Sequence, residues 1–247
     1  MEYSNIYEKI KLLTGSGMWH TREAEGLPSV HLSDGPHGLR KQEEKERRNN
    51  VSLVSTCYPT ASALACSWDV TAAERLGRAV AKEAWNADVA VLLGPGINMK
   101  RSPLCGRNFE YFSEDPFLAG RLGAAYVSAA QGEDVAVSLK HFAANNQETN
   151  RQTSNSQIDE RALREIYLSA FEYVVKTARP ATVMASYNRL NGYYACENRH
   201  LLTEILREEW GFDGVVISDW GACADLAKAV KAGMDLEMPD SHGIHAR

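Results

Sequence analysis

GVVISDWGA, residues 214–222, is the stretch whose reading decides the fold. Val215, Val216 and Ile217 are three β-branched residues in a row, the composition of a strand covered on both faces, and the run stops at Ser218, Asp219 and Trp220. An acid and an indole at the exit of such a strand raise the question of what they serve there. A carboxylate in that position can attack an electrophilic carbon, hold a metal ion or cap the following helix.

Outward from this stretch the same figure recurs. Short β-rich runs at residues 30–33, 89–93, 136–139, 182–186, 215–218 and 234–237 each end in a polar or Gly/Pro cluster, SDGPHG, GPGIN, KHF, SYN, SDW and MPD. Helix-period stretches lie between and after them at 71–85, 115–130, 160–177, 201–210 and 222–232, the first opening after Asp69 as its N-cap. Strand and helix in alternation predict parallel pairing through right-handed crossovers. In a parallel barrel all those strand ends share one rim, which is where sites are built. A doubly wound open sheet would alternate in the same way, but its glycine fingerprint for phosphate is missing: neither GxGxxG nor GxxxxGK[ST] occurs. We therefore expect one α/β domain over residues 1–247, a (β/α)8 TIM-like barrel incomplete at its C-terminus, because the chain stops just past the sixth run.

Composition narrows the function classes. The chain has 247 residues, 44% of them hydrophobic, enough for a substantial core, and a net charge of −5 with both signs interspersed. No basic face marks a nucleic-acid partner, and the one charge run, KQEEKERR at 41–48, mixes signs and is expected to be a solvated loop. The N-terminus lacks a basic segment followed by an apolar one, and no apolar run approaches the ~18 residues of a membrane span, so the expectation is a cytoplasmic protein without a membrane partner. Cys57, Cys66, Cys105, Cys196 and Cys223 form no zinc spacing and are expected to be reduced, buried and small; no metal or other cofactor is expected.

Each rim residue has a plain structural reading and a chemical one. Asp219 could cap a helix; Asp34 in SDGPHG could start a turn; Lys140 could be a solvated lysine beside a core His141; Arg107 lies in a loop crowded with Phe109, Tyr111 and Phe112. Together, Asp34, Arg107, Lys140, His141, Tyr187, Asp219 and Trp220 make a polar ring with an aromatic floor, the combination that a sugar needs for its hydroxyls and its C–H face. Two other classes fit part of the pattern, a sugar-binding protein without turnover and a barrel lyase using Lys140 as a Schiff-base nucleophile.

The chain resembles the N-terminal barrel of a family 3 glycoside hydrolase of the β-glucosidase kind. The likeness runs in order over residues 18–239 through GLPSVHLSDGPHGLR, GPGINMKRSPLCGRNFEYFSEDPFLAG, SLKHFAANNQETNR, VMASYNRLNG, GFDGVVISDWGA and AGMDLEMP. The resemblance implies a retaining β-glucosidase with Asp219 as nucleophile, Asp34, Arg107, Lys140, His141 and Tyr187 holding the sugar hydroxyls, and Met184 and Trp220 lining the subsite. It implies small β-glucosides or cello-oligosaccharides as substrates, with Trp220 favouring the glucosidase over the xylosidase branch. Retention needs a second carboxyl group roughly 5–5.5 Å from the nucleophile. In the family this acid/base comes from a second α/β sandwich domain, or from a histidine in a KH-x-PGHG loop, and this chain has neither. The expectation is an acid/base supplied by that missing C-terminal domain or a complementing chain, with Glu148, Glu114 and Asp115 structural and the cations Arg107 and Lys140 lowering the pKa of Asp219.

Overall fold

The structure is a computed structural model that describes residues 6–42, 51–242 and 244. The expected loop at 41–48 lies outside the described residues except for Lys41 and Gln42. Five parallel strands form the centre: β1 Leu32–Asp34, β2 Val91–Leu93, β3 Ala136–Phe142, β4 Thr182–Ala185 and β5 Val215–Ser218. They are neighbours in chain order, as successive crossovers of one hand require. The connecting helices include Val70–Asn86, Pro116–Gln131, Ser169–Ala178 and His200–Glu209, the last wound as a π-helix, and Leu226–Ala232 follows β5.

Local chemistry sets the boundaries. Asp69, Asp115 and Asp225 each accept a backbone N–H from the first turn of the helix they precede, at 2.8, 2.9 and 3.0 Å. The last of these shortens the expected 222–232 helix to Leu226–Ala232, because Asp225 and not Asp219 is its cap. Gly77 lets the helices Val70–Asn86 and Pro116–Gln131 approach closely, since a Cβ there would stand 2.5 Å from the Tyr126 carbonyl oxygen.

Strand alternation separates two cores. Leu32, Val91, Leu93, Met184, Ile217, Leu236 and Met238 pack inside the sheet's curve, while Leu92, Val183 and Val216 face outward into the larger core under the helices. Both faces are buried, which is why the strands read as continuous apolar runs. The inner cluster is a packed plug that floors the rim, with Trp19 and Trp220 against it.

The expected run at 234–237 is present only as isolated pairings, Leu236 with Ile217 of β5 and Glu237 with Thr14. These continue the ring. Gly15 N donates to Glu237 O at 3.0 Å, Ser16 N to His20 O at 2.9 Å, and Leu32 N of β1 to Trp19 O at 2.8 Å. Backbone pairing thus runs from β5 through 236–237 and 13–20 back to β1, so the exposed sheet edge that an incomplete barrel would leave is covered. The cysteines carry no disulfide among the described residues; Cys105, Cys196 and Cys223 are buried as expected, but Cys57 and Cys66 are exposed, each lying in a connection outside the packed layers.

Gly35 offers a test of the rim. It sits at φ +119°, and a Cβ would meet the Gly38 carbonyl oxygen at 2.1 Å, whereas at Gly17 a Cβ meets nothing within 4 Å. Gly35→Ala should lower the unfolding free energy by roughly 1–3 kcal/mol or more, and Gly17→Ala should stay within about 0.5 kcal/mol of wild type. Urea midpoints check this; an unshifted midpoint for Gly35→Ala would contradict it.

Candidate active site

The strand ends converge on one cavity of about 490 Å³. All eight residues expected for a site line it: Asp34 ends β1, Arg107 lies in the connection after β2, Lys140 and His141 are in β3, Met184 is in β4, Tyr187 follows β4, and Asp219 and Trp220 follow β5. Successive residues of a regular strand point to opposite faces, yet Lys140 and His141 both reach the cavity. The pairing of β3 with β4 slips between Leu139 and Phe142, and that irregularity turns the two side chains the same way. The Asn98 side chain clasps the His141 backbone at both ends, Nδ2 to the carbonyl at 2.8 Å and Oδ1 from the N–H at 2.7 Å.

Glu110 joins the site and was not anticipated. It is buried, and it accepts from Arg107 Nε at 2.5 Å while its other oxygen lies 3.5 Å from Lys140 Nζ. Lys140, only 3% exposed, also pairs with Asp34 at 3.2 Å. Burial alone would lower the lysine's pKa, but Asp34 and Glu110 outweigh it and the net direction is up, so the ammonium is secured. This is a paired internal cation, not a solvated lysine, and the Asp34 side chain serves it even though the Asp34 carbonyl also closes a turn to Arg40 N at 2.8 Å.

His141 is neutral. Burial comes first, then Arg107, Lys140 and Arg151, in holding its pKa well below the ordinary value. Arg107 Nη2 lies 2.6 Å from Nε2, and a guanidinium has donors only, so Nε2 accepts and the proton is on Nδ1, facing Tyr111 Oη at 3.0 Å.

Asp219 is 6% exposed. Its Oδ1 accepts the Trp220 N–H at 2.8 Å, while Oδ2 is buried with no hydrogen bond among the described residues, 3.8 Å from Arg107 Nη1 and 3.7 Å from His141 Nε2. Burial raises its pKa; Arg107 and Lys140 oppose that but do not cancel it, so the net direction is up. The two cations act in the expected direction, but the expected net lowering is not found: desolvation of a buried carboxylate, which a sequence does not display, is the larger effect. Tyr187 is held protonated, by burial first and then by the Asp219 charge, and donates to the Trp220 carbonyl at 2.9 Å. Trp220 stacks on Trp19 with centroids 5.2 Å apart, giving the cavity an aromatic wall.

Beyond Glu110 and Trp19, the cavity includes Arg40, Phe109 and Arg151, none of them anticipated. Glu110 had a signal, an acid three residues after Arg107 in an aromatic loop; Trp19 had none, lying 201 positions from its partner. The acids Glu148, Glu114 and Asp115 do not line the cavity: Glu148 pairs with Arg151 at 3.0 Å, Asp115 caps a helix, and Glu114 faces a separate crevice. Among the described residues no cluster of His, Cys, Asp and Glu suits a metal ion, and no helix is long and apolar enough to cross a membrane.

Comparison with known proteins agrees with this architecture. The family model "Glycosyl hydrolase family 3 N terminal domain" matches residues 36–245. Thermostable beta-glucosidase B of Acetivibrio thermocellus is 54% identical over 97% of this chain, and an exo-alpha-(1->6)-L-arabinopyranosidase of Bifidobacterium longum is 50% identical over 96% of it. The chain spans 32% of the length of each, about a third. Among solved structures, beta-glucosidase 3B of Thermotoga neapolitana in complex with glucose superposes with a TM-score of 0.91 at 42% identity, covering 97% of this chain and 36% of that one.

The raised pKa of Asp219 carries a stability consequence with a definite sign. Where the folded pKa exceeds the unfolded one, the folded state binds the proton more tightly, so the wild type loses stability as pH rises through that window and remains penalised at neutral pH. Asp219→Asn should therefore melt at a higher temperature than wild type at pH 7. The gap should shrink as pH falls toward ~4, the ordinary aspartate range. Melting curves across pH check this, and a variant less stable at pH 7 would contradict it.

Proposed function

The chain belongs to glycosyl hydrolase family 3, and from that premise we propose that it is the catalytic barrel of a retaining β-glucosidase with Asp219 as nucleophile. The observation that carries the reading is Asp219 Oδ2, a buried carboxylate oxygen in the cavity that no hydrogen bond from the described residues occupies, beside the Arg107 guanidinium at 3.8 Å. In the first step Oδ2 attacks the anomeric carbon, the bond to the aglycone oxygen breaks, and a glycosyl ester forms on Asp219. Water then cleaves the ester from the vacated side, which returns the carboxylate and retains the configuration. Asp34, Lys140, Arg107 and Tyr187 offer both donors and acceptors to the sugar hydroxyls beside His141, whose ring nitrogens would have to exchange their Arg107 or Tyr111 contact to join them, while Met184 and Trp220 offer apolar surface to the ring.

The leaving oxygen also needs a proton. Among the described residues, the other two carboxylates lining the cavity are occupied, Asp34 by Lys140 and Glu110 by both Lys140 and Arg107. Neutral His141 holds its proton on the nitrogen turned toward Tyr111, away from Asp219. No carboxylate lining the cavity among the described residues is free for this role, and we assign the acid/base, as the family resemblance implies, to a further domain or a complementing chain. The substrates are small β-glucosides or cello-oligosaccharides. The arabinopyranosidase relative makes an α-L-arabinopyranoside the informative competitor.

A dinitrophenyl β-glucoside departs without protonation, so this chain should release a stoichiometric burst and then turn over slowly, with cellobiose left intact. General acid assistance of ~10²–10⁴-fold is what the natural substrate lacks. The burst rate should rise with pH through a value above the ordinary aspartate pKa, because only the ionised, desolvated carboxylate attacks. Asp219→Asn should slow it by ~10⁴-fold or more. Cleavage of cellobiose at ordinary rates of ~1–10³ s⁻¹ would place an acid within residues 1–247 and contradict the reading. Aryl β-glucoside should react faster than the β-xyloside and the α-L-arabinopyranoside; a preference for either pentoside would overturn the sugar assignment.

A further inference from the structure

The connection after β3 brings a guanidinium to the cavity that the sugar-binding set does not include. Arg151 Nη1 donates to Glu148 Oε2 at 3.0 Å, and the other Glu148 oxygen accepts from Asn145 Nδ2 at 3.3 Å. Asn145 is buried, which roots the Glu148 end of the clamp in the fold, while the Arg151 side chain remains 40% exposed. Held in this way, the guanidinium lies over the face of Tyr187, 4.4 Å from the ring centroid, a cation–π contact at the cavity wall. The Tyr187 hydroxyl donates to the carbonyl of Trp220, the residue whose own N–H holds Asp219 Oδ1. One line of contacts therefore crosses three strand ends, from Glu148 after β3 through Tyr187 after β4 to Trp220 after β5.

Building on the assignment of Asp219 as nucleophile, we propose that Arg151 is a positioning residue: clamped by Glu148, it fixes the Tyr187 ring so that the phenol pins the Trp220 carbonyl and with it the aim of the Asp219 carboxylate. The Tyr187 ring is buried against the larger core, which restrains most of it, and among the described residues no other aromatic ring stacks on it, so Arg151 is its stacking partner at the cavity wall. A flat cation, anchored on Glu148, limits the motion that packing leaves to the ring more effectively than a flexible ammonium would. Misplacement of a reacting group by about 1 Å can cost on the order of 10²-fold in rate, so a residue that never touches the reacting atoms can still govern the step.

Two measurements on this chain test the proposal. The first is the burst rate with dinitrophenyl β-glucoside for Arg151→Met, Tyr187→Phe and the double variant, with glucose affinity measured beside it. Arg151→Met should slow the burst by ~10- to 100-fold and leave glucose affinity within about 3-fold. In the Tyr187→Phe background the same change should cost less than about 3-fold, because the hydroxyl it positions is gone. Equal costs in both backgrounds would overturn the proposal, since Arg151 would then act on the substrate by itself. The second is a crystal structure of Arg151→Met, in which the Tyr187 hydroxyl should have left the Trp220 carbonyl; a hydroxyl still in place overturns the proposal. This readout stands without turnover, so a wild type that shows no burst counts against the nucleophile assignment while the crystal still decides the clamp. Should Arg151→Met fail to fold, Glu148→Gln, which touches neither the cavity nor Tyr187, should produce the same displacement and a slower burst.

Discussion

A carboxylate oxygen buried without a hydrogen bond is the constraint around which this site is arranged. Asp219 Oδ2 is buried and, among the described residues, has no donor in hydrogen-bond geometry, a state that is stable only if nearby charge offsets part of the desolvation. Arg107 and Lys140 supply that charge, but both are largely buried and would themselves be costly alone. Asp34 and Glu110 answer them in turn. His141 fits among these groups only as a neutral ring, since an imidazolium there would add a third desolvated cation.

The backbone supplies what the charges require. Each group stands at the end of a different strand or in the connection that follows it, so no single turn has to carry more than two of them. The slip in β3 places Lys140 and His141 side by side, and Asn98 fastens the His141 backbone at that irregular point. Below the rim, the inner plug of Leu32, Leu93, Met184, Ile217 and Met238 keeps water from reaching the site from beneath. The raised pKa of Asp219 is the outcome: the fold tolerates an unsatisfied acid at neutral pH, and that tolerance makes the free oxygen available for chemistry.

Much of this was legible in the sequence, and the exceptions have identifiable causes. Strands covered on both faces write continuous apolar runs, so β2, β4 and β5 and the rim motifs that follow them could be read directly. The closing segment 13–20 could not, because LTGSGMWH carries neither strand periodicity nor apolar continuity and pairs through single backbone contacts. Glu110 could have been found as the i+3 partner of Arg107, but nothing local joins Trp19 to Trp220 or Arg151 to Tyr187. The direction of the Asp219 pKa was misjudged for a related reason. Neighbouring cations are visible as letters, whereas burial is a property of the assembled fold.

The central claim is that Asp219 Oδ2 forms the covalent bond to the sugar, and the most direct measurement is to find that bond. Incubating the chain with 2,4-dinitrophenyl 2-deoxy-2-fluoro-β-glucoside should trap the ester, because the good leaving group makes the first step independent of an acid and the fluorine slows the second. After peptic digestion at low pH, tandem mass spectrometry should place the added fluoroglucosyl mass on the peptide spanning residues 214–222, at Asp219. Label on Asp34, Glu110 or any other side chain, or label that persists in Asp219→Asn, would contradict the account.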